Sequence, residues 1–209
     1  MTSINLQDHT EISNCEEEIR RYCSGDFGKG RRRDNSFRNY DCFIVPQDCK
    51  LQEMDIRVAN RMQARISSNV RQKILSRRAD IESALTRIPS DCDLSQDELP
   101  DALAQLFAAI MSKDVKLARA TKILHKKRPK LIPILDSVIQ KYAHKVSQSS
   151  LEYADDVKRA MIYCQVMQKE LKHSSKALSA IQKNIAKEGI RLSKVRILDI
   201  LIWKKKSDA

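Results

Sequence analysis

Apolar residues recur at helical spacing along most of the chain, and short polar or proline-bounded stretches separate the runs. Residues 11–24 carry acid early and base late, which suits a short helix aligned with its own dipole. Met54, Val58, Met62 and Ile66 fall four apart and predict a helix over about 53–64. Ser68 reads as the N-cap of a helix reaching Ile88, with Ile74, Leu75, Ile81 and Leu85 inward. Residues 90–98 are turn material, after which Pro100 or Asp101 opens a helix through Met111 whose stripe is Leu103, Leu106, Phe107 and Ile110.

Ser112–Lys116 is a tight connection into a helix over 117–127, ended at Arg128 because the residue before a proline avoids the α region. Further helices are predicted over 134–146, 151–172, 175–188 and 193–204, with Gly189 as a helix terminator. Gly25–Asn39 reads as a loop whose Arg31–Arg33 run either meets phosphate or stays solvated, and Tyr40–Val45 as a short extended run before Pro46. The pattern predicts an all-α, compact multi-helix domain. An N-terminal helix and basic loop (1–50) and a helical domain (51–209) are expected to form one unit.

Composition agrees, with only four Gly and five Pro among 209 residues. Charge adds more. The net charge is +12, and it is one-sided: residues 101–209 hold 23 Lys/Arg and 10 Asp/Glu, residues 1–100 hold 16 and 17. A positive field of this kind suits a phosphate backbone, because neutralising phosphates releases condensed counterions.

The densest segment is KDVKLARATKILHKKRPKLIPILD, residues 113–136. Leu117, Ala120 and Leu124 share one side of its helix; Lys116, Arg119, Lys122 and Lys126 share another, and Lys113, Lys127, Arg128 and Lys130 extend the positive surface. These eight cations are the candidate nucleic-acid contacts. Asp136, after Pro133-Ile134-Leu135, is the candidate catalytic carboxylate; in the first turn of a helix it equally suits capping.

Leu103–Met111, the turn around Val115 and Arg119-Ala120 before Ile123-Leu124 resemble a helix-hairpin-helix DNA-binding element. Asp114 and Lys116 stand where that family has glycines, so side chains of Lys113, Lys116 and Arg119 would replace backbone amides at phosphate. The spacing onward to Ile132–Ile139 is similar to that of the DNA glycosylases built on this element. That resemblance implies that Asp136 stabilises an oxocarbenium-like sugar or activates water. The amine nucleophile of the bifunctional members would fall at Ala118, so the implied activity is monofunctional base excision.

From Tyr22 to Trp203 the chain also resembles a family of bacterial proteins of unknown function, through YCSGDFGKG, ANRMQARIS, LARATKILHKKRPKLIPILDSVI and LSKVRILDILIW. This likeness supports an architecture and supplies no activity.

Six scattered cysteines, no secretory signal and no long apolar run point to a cytoplasmic chain that does not enter a membrane. His9, His125, His144 and His173 form no ligand pattern, and neither cofactor nor metal is expected. The reading is a DNA-binding protein with a helix-hairpin-helix-like centre, with base excision by Asp136 as its enzymatic form. The alternative is a non-catalytic helical module that docks an acidic protein.

Overall fold

The computed structural model of the protein describes residues 2–25, 36–147 and 155–207, and the Arg31–Arg33 run falls outside them. Ten α-helices carry the described fold: α1 (Cys15–Ser24), α2 (Glu53–Arg61), α3 (Ser68–Ser76), α4 (Arg78–Thr86), α5 (Asp101–Ile110), α6 (Leu117–Lys127), α7 (Ser137–Ser147), α8 (Asp156–His173), α9 (Ser175–Ala186) and α10 (Lys194–Ser207). The protein is all-α. Its described strands are β1 (Ile4–Asn5) and β2 (Glu11–Ile12), an antiparallel pair with Ile4 opposite Ile12.

α10 is the centre of the packing. Val195, Ile197, Leu198, Ile200, Leu201 and Ile202 are all buried, so the helix is apolar on nearly every side, as a core helix must be. α1, α7, α8 and α9 surround it. α5 packs on α4 and α8, and α6 packs on α2. One apolar core runs from Ile4 to Ile202, with a satellite of Tyr40, Val45, Val58 and Ile134 beside it.

Several boundaries differ from the predicted ones, each for a local reason. The helix expected over 68–88 breaks at Arg77, whose guanidinium turns to the carbonyls of Met111 and Ala108, 2.8 and 2.9 Å away, at the C-terminal end of α5. A side chain fastened to another helix's orphan carbonyls fixes the break. Its N-cap is Ser67, one residue earlier than Ser68, accepting from Val70 N at 3.4 Å. α2 ends at Arg61 because the Asn60 amide clasps both the N–H and the C=O of Ile66 (2.7 and 2.8 Å), while Gln63 and Arg65 take positive φ.

The stretch expected to be extended at 40–45 begins instead inside a π-helical turn, Phe37–Asp41. Gly189 stands just past α9 with φ of 81°, a left-handed conformation that an L side chain strains to adopt.

Candidate functional site

A cleft of about 820 Å³ opens between the 37–47 segment, the C-terminal end of α6 with Pro129 and Lys130, and the α9–α10 connection. Each wall is held by identifiable bonds. Tyr40, fully buried, gives its hydroxyl proton to Lys122 O at 2.7 Å and stacks near His125. Opposite, Ser193 accepts from Arg196 N as the cap of α10 and donates to Pro129 O at 2.7 Å, tying the helix start to the end of α6. Gln182 holds the 189–193 loop through Leu192 O at 2.7 Å.

Cations dominate the lining. Lys126, Lys130, Lys183, Arg191 and Arg196 face the cleft, and among the described residues Asp41 is the lone carboxylate lining it. Asp41 is already engaged. Arg196, 3% exposed, donates to its two oxygens at 2.7 and 3.0 Å, to Asp199 at 2.7 Å and to the Tyr22 hydroxyl at 2.6 Å. Lys130, Lys183 and Arg191 have no carboxylate partner among the described residues, so the rim keeps an unbalanced positive charge.

Perturbed groups lie in the cleft, at His125 and Lys126, and on the far side of its Arg196, at Asp199. Burial pushes the Asp199 carboxyl up to about 7, against the pull of Arg196. His125 is buried and its Nδ1 lies 2.6 Å from Ile132 O, so that nitrogen carries the proton. Desolvation, reinforced by Arg196, lowers His125 to about 4, and the ring is neutral. Desolvation also lowers Lys126, whose Nζ lies 3.0 Å from Tyr40 O and over the Tyr40 ring.

The eight cations of the 113–130 segment do not form one surface. Lys127 is 0% exposed and Arg128 2% exposed. Lys127 Nζ meets Pro46 O, Asp48 and Asp55 at 3.0–3.1 Å. Arg128 reaches Leu85 O, Ile88 O, Gln47 O and Cys49 Sγ. Together with Lys126 they bind carbonyls at the end of the π-helical turn, in the 46–47 stretch that follows it and at the α4 end. These two side chains are therefore structural and cannot meet a phosphate in this conformation.

Lys116 is exposed but paired with Asp156 at 2.7 Å. Arg119 is half-buried, donating to Ala64 O and Asp114 O at 3.0 and 2.5 Å. Lys122 is half-buried, and Lys113 and Lys130 are exposed. Beside Lys113 a smaller hollow of about 350 Å³ contains Asp114, which Lys73 approaches to 2.6 Å, and Arg77 in its lining is turned to the carbonyls of Met111 and Ala108.

Asp136 accepts from Val138 N and Ile139 N, both at 3.0 Å, and so caps α7. It shares with Asp199, Tyr22 and Trp203 a cavity of about 30 Å³. That is room for about one water and far less than a base. Arg196 lines both this cavity and the cleft. Among the described residues no His, Cys, Asp or Glu cluster converges as a metal site, and no helix is long and apolar enough to cross a membrane.

Lys183, Arg191 and the Asp41–Arg196–Asp199 network escaped the sequence reading. A signal for the last was present: Arg196 and Asp199 interrupt the otherwise apolar run of α10 three residues apart, the spacing of a paired, buried couple. Lys183 and Arg191 flank Gly189 and converge only because the α9–α10 turn folds back.

The chain belongs to a family of unknown function, DUF6308, whose model matches residues 16–206. No curated protein and no solved structure matches it.

Proposed function

We propose that the protein binds nucleic acid, DNA in the first instance, through the cleft rimmed by Lys126, Lys130, Lys183 and Arg191. The observation that carries this reading is the charge imbalance of the cleft among the described residues: the one carboxylate lining it there, Asp41, is consumed by Arg196. Phosphodiesters supply regularly spaced charge to such a rim, and counterion release favours their binding. Lys126 and Lys130 join this surface from the basic segment; Lys113 and Lys116 are outlying contacts.

Base excision of the helix-hairpin-helix glycosylase kind is the finer reading. It is supported by the hairpin-to-Asp136 spacing and by the pairing of Asp136 with Asp199 on one cavity. Chemistry on a base requires its extrusion into a pocket, so this reading needs the cavity of about 30 Å³ to open on binding. Asp136→Asn should abolish excision of a lesion-bearing strand; unchanged excision would remove Asp136 from the chemistry.

Binding itself is tested by the salt dependence of anisotropy with a fluorescein-labelled DNA. Lys183→Glu and Arg191→Glu should each reduce the slope of log K against log salt by about one. No affinity at physiological salt would overturn the reading in favour of an acidic protein partner.

A further inference from the structure

The lining of the cleft is not uniformly polar. Below its cationic rim lie Phe37 and Phe43, and at its mouth Ile44 is 92% exposed. Isolated exposed apolar residues are ordinary. This one differs because it follows Phe43, whose ring is braced by the Arg61 guanidinium at 4.6 Å, and because both belong to a wall facing Lys183 and Arg191. The segment is also anchored from behind: Pro46 O and Gln47 O are bound by the buried Lys127 and Arg128. An apolar projection on a fixed wall opposite free cations is a surface with two chemistries at short range.

Shape limits what can use both. The cleft is concave, about 820 Å³, a volume that houses a drug-sized molecule or roughly two nucleotides. A duplex keeps its bases stacked inside and is read by elements that project into its grooves. It would touch the rim and leave the phenylalanines and Ile44 unused. An unpaired strand offers phosphate to a rim and base faces to a floor at the same time, and this combination is how unpaired nucleic acid is held generally.

Resting on the nucleic-acid reading above, we infer that the cleft takes an unpaired stretch of strand, with phosphates on Lys130, Lys183 and Arg191 and base faces against Phe43 and Ile44. The shared ligand chemistry is a single-stranded phosphodiester, from DNA or from RNA.

The test uses the full chain and three labelled probes of one sequence, a 12-mer DNA strand, the same strand as RNA, and the DNA duplex, followed by anisotropy over a salt series. At least one single strand should bind ten-fold or more tighter than the duplex at physiological salt, and the tighter of the DNA and RNA arms names the source. Ile44→Ser, at a position that contributes nothing to the core, should weaken single-strand binding five-fold or more with the salt slope unchanged. Phe43→Ala should do the same, with circular dichroism checking the fold. Arg191→Glu should instead flatten the slope. Duplex binding equal to or tighter than single-strand binding, or an unaltered Ile44→Ser variant, overturns this inference and leaves nucleic-acid binding intact. Absence of binding to all three probes overturns both.

Discussion

Lys127 Nζ stands 3.0 Å from an Asp55 carboxylate oxygen, with both side chains sealed from solvent. Breaking such a pair from one side leaves a buried charge uncompensated, which typically costs about 3–5 kcal/mol. Lys127→Met should therefore lower the unfolding free energy by that order in urea titration. Adding Asp55→Asn, which keeps the acceptor for Gln52 N, should recover more than half. Losses that simply add would show that the two charges are not coupled. The single variant, where folded, should keep its affinity for nucleic acid.

Asp136 contributes to stability as the α7 cap. Asp136→Ala should destabilise by about 1 kcal/mol and Asp136→Ser by much less, since serine restores an acceptor at the cap. Chemical denaturation of the two variants at one pH decides it. Equal losses in both would mean that the carboxylate charge, rather than the capping bond, is what α7 requires.

His125 and Asp199 give stability opposite dependences on pH. His125 is lowered from 6.5 to about 4, so its contribution is complete above pH 6.5 and is lost as pH falls toward 4. Asp199 is raised from 3.8 to about 7, so its contribution is complete below 3.8 and is lost as pH rises toward 7. Between about pH 4.5 and 6.5 the two slopes oppose each other. Relative to wild type, His125→Gln should tilt stability downward with rising pH and Asp199→Asn upward, each by about 1.4 kcal/mol per pH unit at most. Urea midpoints at three pH values measure this. Tilts of the same sign in both variants would contradict the assignment.

The helices were legible because their apolar faces repeat: the stripes of α5 and α6 and the terminator Gly189 are where periodicity and capping chemistry predict them. The charged residues were less so. Lys127 follows Leu124 by three and Leu117 by ten, so the wheel of α6 puts it on the buried stripe. Its charge argued for the surface, and the surface was the wrong inference. What settles its place is a tertiary partner 72 positions earlier, Asp55, and no local pattern contains that. The cleft was illegible for a related reason. Its walls come from three distant stretches, and Lys183 and Arg191 acquire meaning only opposite Phe43 and Ile44.

The Arg196 network joins residues separated by 155 and 174 positions, Asp41 and Tyr22. Both are translated long before their partner. Until α10 emerges, α1, α7, α8 and α9 lack the partner they share, and the apolar faces that later cover Val195–Ile202 remain bare. A contact made across so much chain is slow to form and leaves aggregation-prone surface open meanwhile. α10 therefore matters to biosynthesis as well as to packing: a chain that ends before Val195 lacks the apolar surface that α1, α7, α8 and α9 share.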